Sequence, residues 1–128
     1  MCLNKILYRN NYLKKKKYGW KIFKMDDNNR YFTPYEGTNK ALKSGIFLDE
    51  KDYRRTTLGY PSNEGDSIIT SSGVYKKGWH FYFNKKDAVG NNLFYTVKKV
   101  IVKNIHTIGK QGINNEIVGV CKYIKILK

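Results

Sequence analysis

The last third of this 128-residue chain constrains its fold more than any other stretch. Residues 94–105 and 116–127 are two extended runs rich in Val and Ile, and in the second Val118, Val120, Ile124 and Ile126 share one face. Branching at Cβ restricts χ1 and favours the pleated surface of a sheet. Between the runs, Gly109-Lys110-Gln111-Gly112-Ile113-Asn114-Asn115 supplies residues suited to closing a hairpin. The C-terminal third therefore reads as two long antiparallel strands.

The rest of the chain adds shorter elements. Residues 3–9 read as a first strand near an edge, and Tyr18–Met25 as a second, with Tyr18, Trp20 and Ile22 on one face and Lys21 and Phe23 on the other. Asp26-Asp27-Asn28-Asn29 predicts a turn, because these side chains bond their own backbone and tolerate positive φ. Residues 30–33 would return as the second arm of a hairpin, ended by Pro34. Thr38 is placed to cap a short helix over residues 39–44, with Gly45 as its stop. Residues 49–73 show no clear period and read as an irregular loop or flap. Trp79-His80-Phe81-Tyr82-Phe83 is an aromatic strand, after which Asn84 caps a short helix closed by Gly90-Asn91-Asn92. The expected fold is α+β: a single compact domain over residues 1–128, mainly antiparallel β-sheet with one or two short helices. A chain of this length has room for one core.

No run of about 18 apolar residues is present to form a membrane-spanning helix, and Asn4 and Lys5 interrupt the N-terminus too early for a signal-peptide core. Cys2 and Cys121 form no CxxC pair, so reduced thiols in a cytoplasm are expected, with no metal site and no cofactor.

Charge is the strongest functional signal. The net charge is +15, and it is uneven: +7 over residues 1–30, −1 over 31–75 and +9 over 76–128. If the two ends fold together, such asymmetry produces a polyanion-binding face. Lys14, Lys15, Lys16 and Lys17 precede Tyr18 and Trp20, Lys21 continues the same strand, and Lys76, Lys77, Lys85 and Lys86 bracket the aromatic strand. Lysines on a β surface contact phosphates while exposed rings stack on unpaired bases. Trp20, Phe81 and Phe83 read as core, and Tyr18, Tyr75 and Tyr82 as the surface rings. A plainer origin stands beside this: only four of the 25 basic residues are Arg, and Lys, Asn, Ile and Tyr share A/T-rich codons.

Gly19-Trp20-Lys21-Ile22-Phe23, then Gly78-Trp79-His80-Phe81-Tyr82-Phe83 with Asp87-Ala88 behind it, then the paired Val/Ile-rich strands, resemble the layout of a loose group of short bacteriophage and mobile-element accessory proteins. The resemblance covers most of residues 18–127. It implies a phage setting, in the cytoplasm of a host cell, and an association with inhibition of host defence nucleases in the manner of anti-CRISPR proteins.

Catalytic patterns are sparse. His80 and His106 are the only histidines, and with Lys110 they could supply the base, acid and cation of a metal-independent ribonuclease. Packing is the competing role for both. Cys121 lies within a strand and reads as a buried apolar residue. The carboxylates of residues 36–66 fall in irregular sequence, and Glu116 is the one acid placed at a strand start, as an ADP-ribosyl-transfer site would need. No phosphate-cradling Gly-rich motif with its Lys-Ser/Thr partner is present. The sequence thus points to a non-catalytic basic protein whose partner is nucleic acid or a host nucleoprotein. A ribonuclease using His80 and His106 and a purely protein-binding inhibitor working through residues 49–66 are the alternatives.

Overall fold

The computed structural model describes residues 3–13, 16–33, 40–53, 67–70, 73–90, 95–112 and 114–128. Its frame is the C-terminal hairpin: β8 (Thr96–Gln111) and β9 (Glu116–Ile126), paired from Val100↔Ile126 to Gln111↔Glu116. β8 extends past Ile105 through Gly109 and Lys110, so the connection is shorter than expected, and the Asn115 amide donates to the Gly112 carbonyl at 3.2 Å. Gly109 belongs to the strand because the N-terminal segment crosses tightly there; a Cβ would meet the Lys5 carbonyl and lie 2.8 Å from Leu3 Cδ1.

β8 carries two strands on one edge. β1 (Lys5–Leu13) pairs with its C-terminal half, Lys5↔Lys110 to Leu13↔Ile105, and β2 (Lys17–Met25) with its N-terminal half, Lys17↔Val102 to Phe23↔Thr96. Between the halves Asn104 adopts φ +57°, and a bulge between Ile105 and Thr107 leaves His106 as the extra residue. Asn tolerates the left-handed region better than most side chains, and a bulge bends and twists its strand. β3 (Tyr31–Phe32) folds back on β2 through a turn in which Asp26 Oδ1 accepts from the Asn28 and Arg30 amides. The Arg30 amide, then its guanidinium and the Asn28 amide, hold the Asp26 carboxyl below its ordinary range.

β9 is flanked on its other edge by β7 (Trp79–Tyr82) and β4 (Phe47–Asp49). A single Trp20↔Tyr82 bridge joins β7 to β2, closing the pairing into a ring, β2-β8-β9-β7. Among the described residues every strand pairing is antiparallel. Inside the ring Phe23, Leu48, Trp79, Phe81, Val100, Val102, Ile105, Ile124 and Ile126 form the main core. The Trp79 indole donates to the Leu48 carbonyl at 3.0 Å, tying β4 to β7. A second cluster, Leu3, Ile22, Tyr75, Tyr82, Ala88, Val118 and Val120, is roofed by α1 (Lys85–Gly90) and by the hairpin of β5 (Ser67–Thr70) and β6 (Gly73–Lys76).

The protein is thus mainly antiparallel β-sheet, with one short α-helix and a 3-10 turn at Glu50–Tyr53 among the described residues. The helix expected over residues 39–44 is not formed over 40–44: Leu42 is buried and its amide donates to the Tyr31 carbonyl at 2.8 Å, making a strand-like bridge instead. Its cap, Thr38, lies outside the described residues, as do residues 54–66 of the expected loop. Within that loop β5 is regular, pairing Ile68↔Tyr75 and Ile69↔Val74. Tyr75 and Tyr82, expected at the surface, are buried in the second cluster, because β6 and α1 cover the face of the sheet opposite Phe81. Among the described residues no helix is long and apolar enough to cross a membrane.

Phe81 is fully buried between two glycines. A Cβ on Gly19 would lie 2.6 Å from its Cδ2, and one on Gly119, its cross-strand partner, would meet its Cζ. Gly119→Ala is expected to cost about 1–3 kcal/mol in urea unfolding, the usual range for overpacking. Adding Phe81→Leu should recover part of that loss. Additive penalties from the two changes would show that the ring and the glycine are not in conflict.

Candidate nucleic-acid interface

Alternation places one set of side chains inside the ring and the other on its outer face. Around the N-terminal half of β8, the inward set is Val100, Val102, Ile124, Ile126 and Leu48, all buried. The outward set is Tyr18 and Trp20 on β2; Lys99, Ile101 and Lys103 on β8; Tyr123 and Lys125 on β9; and Phe47 on β4. Cross-strand partners line these up as Trp20↔Lys99, Tyr18↔Ile101↔Lys125↔Phe47 and Lys103↔Tyr123.

The result is a ladder of ammonium groups over rings. Lys99 Nζ lies 4.3 Å from the Tyr18 ring centroid and 5.8 Å from Trp20, which Lys85 of α1 also approaches at 5.2 Å. Lys16 and Lys125 lie 5.2 Å and 5.4 Å from Phe47. Lys122 and Lys103 lie 5.2 Å and 5.9 Å from Tyr123. Each contact at an exposed site is worth about 0.5–1 kcal/mol. Their larger effect is geometric: they bring ammonium groups from separate elements against the rings of one face. Asp49, across from Tyr123, supplies a carboxylate at the β4 margin, and Tyr123 and then Asp49 raise the Lys122 pKa.

The structure divides the basic residues expected to bind. Lys16, Tyr18 and Lys85 join this face. Lys17 and Lys86 are exposed beside it, on β2 and α1. Lys76 and Lys77 lie apart from it, at the β6–β7 connection. Lys14 and Lys15 lie outside the described residues. Lys21 points the other way: only 5% exposed, its ammonium donates to the His80 carbonyl at 2.7 Å and lies 5.9 Å from the Trp79 ring. It spans the seam where β2 and β7 share one bridge, so its place is in the closure of the ring and not on the surface. Sequence reasoning missed Lys99, Lys103, Lys122, Lys125, Phe47 and Tyr123. The alternation of Lys99, Ile101 and Lys103 was the available signal, but only pairing with β2, β9 and β4 brings these residues together.

The histidines occupy a different part of the molecule. His106, buried at the β8 bulge, has its Nε2 3.2 Å from the Lys77 carbonyl and its Nδ1 2.8 Å from Thr107 Oγ1. Nε2 therefore carries the proton and donates, and Nδ1 accepts from the hydroxyl. Burial pushes its pKa down to about 4, with smaller contributions from Lys76 and His80, against the raising effect of the Lys77 carbonyl. Tyr75 Oη lies 3.0 Å from His80 Nε2 and accepts from the Leu3 amide at 3.1 Å. His106 is thus neutral near pH 7 with both ring nitrogens engaged inside the protein, an unfavourable state for exchanging protons with a substrate. Lys110 is half-buried on β8, between Lys5 and Ile117. No group of three or more His, Cys, Asp or Glu side chains converges as a metal site among the described residues.

The His106 geometry sets a pH dependence. The unfolded imidazole titrates near 6.5 and the folded one near 4, so its contribution to stability is complete above about pH 6.5 and is lost as pH falls toward 4. The loss across that window is on the order of 3 kcal/mol. Urea unfolding at pH 7, 5.5 and 4 should show a steeper decline for the native chain than for His106→Gln, which keeps a donor for the Lys77 carbonyl. Parallel declines would mean that folding does not lower the His106 pKa.

No protein-family model, curated protein sequence or solved structure matches this chain, so its functional reading rests on the outer face itself.

Proposed function

We propose that the chain is a non-catalytic nucleic-acid-binding protein whose contact surface is the outer face of β2, β8, β9 and β4. The observation that carries this reading is the placement of Lys16, Lys85, Lys99, Lys103, Lys122 and Lys125 with their ammonium groups over rings on that face. Lysines already held against rings lose less side-chain freedom on meeting a phosphate, and a net charge of +15 steers a polyanion toward the surface. The resemblance to phage accessory proteins favours an anti-defence setting, in which the same face would occupy the nucleic-acid path of a host nuclease.

Fluorescence anisotropy with labelled DNA and RNA over a salt series tests the reading. Binding should persist at about 150 mM salt, with log affinity falling against log salt by roughly 0.7–0.9 for each phosphate neutralised. A triple Lys99→Glu, Lys103→Glu, Lys125→Glu variant should lose at least ten-fold in affinity, while its circular dichroism stays unchanged. Binding indifferent to salt and to these reversals would remove the proposal. Capture of a nuclease-treated protein partner, with no affinity for nucleic acid, would point to the protein-binding alternative.

A further inference from the structure

We infer that the preferred ligand of this face is single-stranded nucleic acid, with Tyr18 as the platform on which an unpaired base stacks. The inference rests on the nucleic-acid reading above and adds to it the class of ligand. Tyr18 is 60% exposed although it stands within a paired strand, between Lys17 and Gly19. Lys99 Nζ sits 4.3 Å from its ring centroid, so a phosphate drawn to that ammonium brings its own base to the ring. Ile101, the cross-strand partner of Tyr18, is half-buried next to it.

Spacing separates single strands from duplex. Tyr18 and Trp20 are two residues apart on one strand face, roughly 6.7 Å along β2. Neighbouring bases in a stacked helix rise about 3.4 Å. A strand that engages both rings must therefore spread its bases apart, which an unpaired strand does readily. A duplex keeps its base faces stacked inside and offers this surface phosphates and groove edges but no face on which a ring can stack. Lys16, Lys103 and Lys125 continue the cationic face beyond Tyr18, where successive phosphates would run.

The two tryptophans make the test direct. Trp20 is half-buried beneath Lys85 and Lys99, whereas Trp79 is 1% exposed inside the ring. Titration with oligo-dT should quench the Trp20 emission, and Trp20→Phe, which leaves Trp79, should abolish the quenching. Tyr18→Ala should lower affinity for oligo-dT roughly ten-fold, the usual loss when a base-stacking ring is removed. Tyr18→Phe should retain it. Heparin, which has charge and no bases, should bind both variants within two-fold of the native chain. Equal affinity for oligo-dT and a duplex of the same length, or an unchanged oligo-dT affinity in Tyr18→Ala, would overturn the stacking inference while salt-dependent binding of heparin and DNA left the broader reading intact. Absence of binding to oligo-dT, duplex and heparin alike would sink both.

Discussion

The bend in β8 is the constraint on which the rest of the structure depends. A straight 16-residue strand would project beyond any partner in a chain this short; Asn104 in the left-handed region and the adjacent bulge turn it instead. β1 and β2 then share one edge, meeting β8 on either side of the bend, while β9 follows the other edge across it, from Val100 to Gln111. Without the bend β2 could not reach β7, and the ring around Phe23, Trp79 and Phe81 would stay open. The closure is economical in backbone pairing. One Trp20↔Tyr82 bridge is reinforced by the Lys21 ammonium on the His80 carbonyl and by a Phe81 ring seated against Gly19 and Gly119.

Closing the ring leaves an aromatic-rich outer face that must meet water. Eleven Tyr, six Phe and two Trp are a high aromatic load for one core of this size, and among the described residues Tyr18, Trp20, Phe47 and Tyr123 lie outward on β2, β4 and β9. Lysine ammonium groups lie over them, which breaks up the apolar patch a bare sheet face would present. The same arrangement concentrates positive charge, and elsewhere on β8 the crowding is plain in the directly opposed pairs Lys21↔Lys98 and Lys5↔Lys110. Like charges facing each other across a ladder oppose folding. A polyanion on the outer face would in the same way relieve repulsion among Lys99, Lys103 and Lys125, so on the proposed reading binding and stability favour the same occupant.

Local sequence carried the elements whose signal lies within a few residues. The two Val/Ile-rich strands, the aromatic strand at Trp79, the Asp26–Asn29 turn and the helix after Asn84 all follow from alternation, turn chemistry or capping. Residues decided by distant partners were less legible. Leu42 left its expected helix to lie beside Tyr31, and Tyr75 and Tyr82 are covered by elements that alternation along their own strands does not reveal. Lys21 reads as a surface cation until β7 arrives next to β2. The proposed interface shows the same division. Tyr18, Lys16 and Lys85 were visible as a basic, aromatic stretch, but Lys99, Lys103, Lys122 and Lys125 acquire meaning only through the β2-β8-β9-β4 order.

That order also bears on why the chain is lysine-rich. A bias toward A/T-rich codons sets how many lysines a sequence holds and is indifferent to what lies beside each one. Strand alternation then keeps most of them outside the ring, wherever the bias puts them. Neither effect explains why lysines from the β2 start, α1, β8 and β9 converge on the same three strands' rings, since these positions are remote in sequence and meet only after folding. Lysine also suits such a face better than its scarcity of forked contacts suggests. An ammonium on a flexible stem follows a backbone whose phosphates change position from one strand to the next, whereas Arg is favoured where planar, two-pronged recognition of a fixed group is needed. Under the proposed reading, a surface built from Lys and rings would respond to charge and base faces and not to sequence.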